Sequence, residues 1–306
     1  MSRFLWQVRR EVWEHKAIWV APLIVIGCLA LSMLVSRLHL GPDIEIDGIA
    51  PLAGLSDAKL ARLVMIAYAG LTVVVFAVMG IIAFFYAIDA LYADRRDRSV
   101  LFWKSLPLSD AESVFSKFVV ASVLIPMVAA AAAVLAQFVV AAVASARLAM
   151  TGFDAAGLLW HPEAILGGLV IALLAGVTAA FWYAPVLAYL MLASSWAPRA
   201  PFLWAVLPPV ALIVGERLLF YTDYVGDFVG ARLFGIARVL RDVEGPDADP
   251  GTDEEVRAEV ARVADLDVAG NLLEFFRSPE LWLGLAAAGL LLAAAIWVRR
   301  YRDETT

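Results

Sequence analysis

Few polar side chains in this chain stand close enough together to do chemistry. The histidines, His15, His39 and His161, are scattered without metal-ligand spacing, and the single cysteine, Cys28, excludes a disulfide within the chain or a cysteine-built metal site. No GxxxxGK[ST] loop is present to cradle a nucleotide phosphate. His161-Pro162-Glu163 is an isolated polar triplet at the edge of an apolar run and reads as a loop. A membrane enzyme would need a nucleophile, an acid–base pair or a metal set in one cluster, and none is visible. Two charged groupings remain. One is Glu216-Arg217, inside an otherwise apolar run. The other is Asp94–Lys117, DRRDRSVLFWKSLPLSDAESVFSK, between two of the longest apolar runs in the chain.

The second grouping has internal order. Asp94 to Lys104 has the length of three helical turns, with charges at its start and Val100, Leu101, Phe102 and Trp103 towards its end. Leu106-Pro107 stops that helix, because proline cannot donate a hydrogen bond and disfavours helical geometry in the residue before it. Ser109 with Glu112 three residues on has capping-box spacing and starts the next helix. A loop that only reversed the chain would be far shorter.

These residues must be carried by a membrane protein. Of 306 residues, 62% are hydrophobic and 18% charged, against about half and a quarter in soluble domains. The apolar runs predict an all-α membrane protein with six spans, at about 17–36, 63–88, 118–146, 164–193, 202–221 and 281–298. Pro185 lies in the fourth. Pro208-Pro209 and Glu216-Arg217 interrupt the fifth. In front of the first span, residues 1–16 read as an interfacial helix: Phe4, Val8 and Val12 recur at four-residue spacing, with Trp6 and Trp13 seven apart and Arg9, Arg10 and Lys16 on the basic side. Residues 222–280 form the one sizeable extramembrane segment. It carries an acidic Pro/Gly linker, 245–251, and a second capping box at Thr252 and Glu255 opening a helix with Val256, Val260 and Val263 on one face.

Lysine and arginine counts set the orientation. With the N-terminus inside, the short inner segments hold thirteen and the short outer loops four. Both termini and Asp94–Lys117 are thereby expected in the cytoplasm, and 222–280 outside.

The stretch resembles the first intracellular loop of ABC-2 type transporter permeases, the membrane subunits of ABC exporters. The shared parts are the charged entry Asp94-Arg95-Arg96-Asp97, a short helix over Ser99–Ser105, the turn Leu106-Pro107-Leu108-Ser109, and Lys117 opening the next span. The Gly-Thr that many members carry near the helix start is Arg98-Ser99 here. The six-span layout extends the resemblance over essentially the whole chain. It implies a permease domain without its own nucleotide site, driven by two separate ABC ATPase subunits that hold the ATP and magnesium. It implies a second permease chain as well, expected to be an identical copy, with the pathway between the two. It further implies residence in a bacterial inner membrane, with membrane lipids and no nucleic acid among the partners. Asp94, Arg95, Arg96, Asp97, Arg98, Leu101, Phe102, Trp103 and Lys104 are then the expected contact to the ATPase, since aromatic side chains often anchor interfaces. Such permeases also carry re-entrant outer helices between their last two spans. That casts Glu216 and Arg217 as lining an outer vestibule or gate, with the chain turning back near Val214-Gly215; the plainer reading starts the fifth helix near Trp196, so that Glu216 reaches the outer headgroups.

Plainer readings stand beside these. Phe102 and Trp103 suit a membrane-interface belt, and Arg95, Arg96 and Arg98 suit enforcement of the positive-inside rule. An ion-coupled secondary transporter is an alternative function, although interior polar groups are few: Gln137, Thr178, and Glu216 with Arg217. A non-transporting membrane scaffold is another. The neighbouring reading frame separates the first from ATP-driven transport: an adjacent ATPase favours the latter.

Overall fold

The structure is a computed structural model that describes residues 3–35, 57–97, 109–150, 159–234 and 268–302. It is helical, with no strand among those residues, and six of its helices are long and apolar enough to cross a membrane. The chain is a multi-pass membrane protein.

Helix α1 (Arg3–Glu14) is followed after two residues by α2 (Ala17–Val35), the first span. The second span, α3 (Asp57–Asp89), leads through a bend into the short α4 (Tyr92–Arg96). The third begins as α5 (Asp110–Val119), passes through one π-helical turn (Val120–Leu124) and continues as α6 (Ile125–Ala149). Pro126 accounts for that turn: it has no N–H to offer the preceding carbonyls, so the ladder shifts register around it.

The run 164–193, expected as one span, is two helices. Helix α7 (Pro162–Trp182) ends at Tyr183, whose N–H reaches back to Ala179 and Phe181, and α8 (Ala184–Trp196) starts afresh with Pro185 in its first turn. Proline suits a helix start and not an interior, so the chain breaks here. Helix α9 (Pro201–Phe220) is the fifth span, α10 (Tyr224–Phe234) and α11 (Val268–Arg277) follow it, and α12 (Pro279–Arg302) is the sixth. Pro208-Pro209 do not break α9, which stays helical through them; membrane helices tolerate proline where neighbours or local adjustments satisfy the freed carbonyls. The helix with Val256, Val260 and Val263 lies outside the described residues.

Small residues set the packing. Ala129, Ala133 and Ala136 of α6 and Ala172 of α7 are fully buried, which lets the two backbones approach closely. A Cβ on Gly176 of α7 would stand 2.9 Å from the Ala130 Cβ. Towards the end where Pro162 lies, Gln137 is the buried polar tie. Its amide donates to Thr72 Oγ1 and the Gly168 carbonyl, each at 3.2 Å, joining the second, third and fourth spans. At the other end α1 and the close of α12 come together, so both ends of the described chain lie on one side of the bundle. That side is called the terminal end below.

Candidate functional site

The terminal end holds a buried ionic cluster. Local sequence explains how each member arrives. Ser109 caps α5 in the full reciprocal box: the Glu112 N–H reaches Ser109 Oγ at 3.1 Å, and the Ser109 N–H reaches Glu112 Oε2 at 3.0 Å. This fixes the entry of the third span and sets Lys117 two turns in, facing the bundle. Helix α1 turns Gln7 and Glu11, one helical turn apart, towards the protein. Leu5, Trp6, Arg9 and Trp13 are left on its exposed face.

The Lys117 ammonium, 4% exposed, sits 3.0 Å from Glu11 Oε1 and 3.5 Å from Asp94 Oδ1. The second oxygen of Glu11 accepts the Tyr86 hydroxyl at 3.1 Å. The second oxygen of Asp94 accepts Arg299 Nη1 at 2.8 Å, and Arg299 Nε reaches Asp110 Oδ1 at 3.3 Å. Each carboxylate oxygen of Glu11 and Asp94 thus has its own partner. Three acids and two bases from α1, α4, α5 and α12 meet here, with Arg10 of α1 adding a third cation at 3.3 Å from Glu11. Charges this dehydrated persist only when paired and hydrogen-bonded on all sides.

Arg95 works on the neighbouring corner. Its Nη2 donates to the carbonyls of Ser194 at 2.6 Å and Ala197 at 2.9 Å, at the end of α8. Ser194 Oγ in return accepts the N–H groups of Leu91 and Tyr92 at 3.1 and 2.9 Å, which otherwise lack helical partners at the bend. Arg96 points outward, paired with Asp89 at 3.7 Å and with Asp97 at 3.0 Å.

Of the residues expected to meet an ATPase, therefore, Asp94 and Arg95 face into the protein and Arg96 and Asp97 face out. Arg98, Leu101, Phe102, Trp103 and Lys104 lie outside the described residues. Helix α4 ends at Arg96, with Asp97 as its C-cap.

The second expected site lies on the hairpin between α9 and α10. The chain does not reverse at Val214-Gly215. Helix α9 runs on to Phe220, and Tyr221 makes the turn in the left-handed region at φ 53°. Glu216 explains the difference: its carboxylate accepts Thr222 Oγ1 at 2.9 Å and the N–H groups of Tyr224 at 2.9 Å and Val225 at 2.7 Å. One side chain thereby caps the first turn of α10. Arg217 is exposed and 3.6 Å from Asp223. Helix α10 then folds back along α9, so that a Cβ on Gly226 would be 3.6 Å from Ile213 Cγ2.

Sequence reasoning did not single out Arg232, near the end of α10. Its buried guanidinium lies 4.4 Å from the Trp182 ring centroid. It donates to the carbonyls of Trp182 and Glu280, joining α10 to the break between α7 and α8 and to the start of α12. The Trp182 indole N–H returns a bond to the Arg232 carbonyl at 3.1 Å, and Tyr183 Oη donates to the Leu233 carbonyl at 3.1 Å. Glu11 and Ser194 were missed as well. Their one sequence signal was a carboxylate and a hydroxyl at helix positions where an apolar side chain would have served packing better.

Residues 60–184 match a family model described as ABC-2 family transporter protein. That part of the chain is similar to ABC-2 family transporter proteins, and the likeness supports an ABC-2 type permease. The match takes in the second, third and fourth spans with the charged stretch between them, and it ends at Ala184, the first residue of α8. Comparisons with curated proteins and with solved structures give no match. The likeness supports a membrane permease of an ABC-type transport system; permeases of that family associate with ABC ATPase subunits and are generally not catalytic themselves.

Proposed function

We propose that the protein is the membrane subunit of an ABC exporter, working as two identical permease chains with two ATPase subunits and carrying its substrate between the permeases. The terminal end faces the cytoplasm of a bacterial inner membrane, as the excess of lysine and arginine there favours. The stretch that starts at Asp94 receives the motion of the ATPase. Arg96, Asp97, Arg98, Leu101, Phe102, Trp103 and Lys104 form its contact. Asp94 and Arg95, behind them, hold the stretch to the bundle.

The observation that carries this reading is the position of the charged stretch. It leaves the bundle at Asp94, inside a buried network shared by the ends of three spans and the N-terminal helix. A push on that stretch meets charges that cannot separate cheaply, so it moves spans. At the opposite side, Glu216 and Arg217 hold the turn of the α9–α10 hairpin. We read this hairpin as the outer gate.

The test is purification of the chain with the ATPase encoded beside it, followed by reconstitution. The wild-type complex should hydrolyse ATP and the chain alone should bind none. Trp103→Ala should leave insertion intact but lower assembly or ATP turnover at least severalfold, as truncating an aromatic anchor does. Normal assembly and turnover in that variant would leave Trp103 as an interface-belt residue and remove the contact assignment. Reporter fusions after Asp249 and after Thr306 should report opposite sides of the membrane.

A further inference from the structure

The N-terminal helix is joined to the charged stretch by a route that transport through that stretch does not require. Helix α1 packs on α5 through Phe4 and Phe115, whose ring centroids are 5.8 Å apart. Its polar face goes further. Glu11 meets the Lys117 ammonium, and the same ammonium meets Asp94. An ammonium is a compact charge with three donors, suited to serving two carboxylates at once. Asp94 is held from its other side by Arg299, and Glu11 by Tyr86.

Directly beyond Lys117 the helix changes character. The π turn over Val120–Leu124 interrupts the regular ladder between α5 and α6, and such turns are where helices bend. Lys117 and α1 lie on the same side of that turn as Asp94. The outward face of α1 carries Leu5, Trp6 and Trp13 with Arg9 stacked 5.9 Å over Trp13, a face that suits the boundary between headgroups and acyl chains.

We propose that Lys117 is a positioning residue that makes α1 travel with Asp94 and the first turns of the third span, as one unit that hinges at the π turn. The unit slides its aromatic face along the membrane surface when the ATPase drives the charged stretch. This inference rests on the energy-coupling reading above and adds to it a second moving part.

The experiment is hydrogen–deuterium exchange on the assembled complex in lipid nanodiscs, nucleotide-free against trapped with ADP and vanadate. In the wild-type complex, backbone exchange over residues 3–14 and over 92–97 should change together. The neutral pair Glu11→Gln/Lys117→Met removes one charge of each sign and leaves Asp94 with Arg299. In it the response over 92–97 should persist while that over 3–14 falls about tenfold, the factor expected for loss of one charge-assisted contact. Glu11→Gln alone keeps Lys117 on Asp94 and should give the same loss in smaller measure, so the question stays answerable if the double variant assembles poorly. An α1 response equal to wild type in these variants would overturn the proposal and leave the energy-coupling reading standing. A wild-type complex with no nucleotide response over 92–97 would overturn both.

Discussion

Arg299, three residues before the end of α12, donates to Asp94 at 2.8 Å across 205 residues of sequence. Both side chains are nearly fully buried, at 4% and 8% exposure. The contact closes the terminal end of the bundle: it fastens the sixth span to the point where the charged stretch leaves the second. The energetics of such a pair are asymmetric. Its net worth against an apolar replacement is small, but removing one partner leaves the other in a dry site with a single counter-charge, Lys117 for Asp94 and Asp110 for Arg299.

Asp94→Asn or Arg299→Met should each destabilise the folded protein by about 1.5–3 kcal/mol, the scale of one charged hydrogen bond, since Lys117 and Asp110 still face the group that remains. The double variant Asp94→Asn/Arg299→Met should recover a large part of that loss, because no lone charge remains at the pair. Thermal unfolding in detergent, arranged as a double-mutant cycle, gives the coupling energy. Additive losses would mean that the two groups do not depend on each other.

Arg232 gives a second prediction, about α10. The guanidinium fork spans two carbonyls and lies on an indole face, a geometry that a lysine ammonium cannot copy. Arg232→Lys should therefore loosen α10 almost as much as Arg232→Met does. Gly284 of α12 supplies an independent route to the same state, since a Cβ there would run into the Arg232 guanidinium. Gly284→Ala should raise backbone exchange over 224–234, whereas Gly289→Ala, where the added carbon meets nothing within 4 Å, should not. Equal behaviour of the two glycine variants would show that the guanidinium moves aside for the methyl group without releasing α10.

How much of this was legible in the sequence follows from which interactions are local. The capping box of Ser109 and Glu112 needs only four consecutive residues, and it is present as read. The apolar runs needed only length, and six spanning helices result. The break at Tyr183 was half legible. Pro185 was visible, but whether a proline bends a span or divides it depends on neighbours such as Arg232, whose backbone carbonyl the Trp182 indole engages. The stripe Phe4, Val8 and Val12 suggested which face of α1 is apolar, yet the fully buried positions are Gln7 and Glu11. Periodicity identifies a face but not the partner, and the partner here is the Lys117 ammonium more than a hundred residues away. The same limit hid Arg299, which in sequence is one of several basic residues after an apolar run.

Glu216 supplies the last prediction. A carboxylate inside an apolar helix suggested an exposed gate charge, and the structure assigns it work on its own hairpin. Two backbone N–H groups and one hydroxyl converge on its two oxygens, so both oxygens must be able to accept. Glutamine keeps one acceptor and turns the other into a donor, which would face the Val225 N–H or the Tyr224 N–H across a hydrogen-bond distance. Glu216→Gln should thus cost more than the loss of a single bond at the α9–α10 turn. Glu216→Asp should fall between, because its shorter stem cannot reach all three donors. The loss should appear as faster backbone exchange over 222–226, with the cluster of Lys117, Asp94 and Arg299 unchanged, since no side chain described here links the two sites. If the hairpin is the outer gate, the same substitution alters export while the permease still assembles with its ATPase. A new cysteine at 216 in a Cys28→Ala background, labelled with a membrane-impermeant thiol reagent, reports whether this turn meets water on the outer side. Failure to label from outside in the assembled transporter would argue against a wetted gate at Glu216.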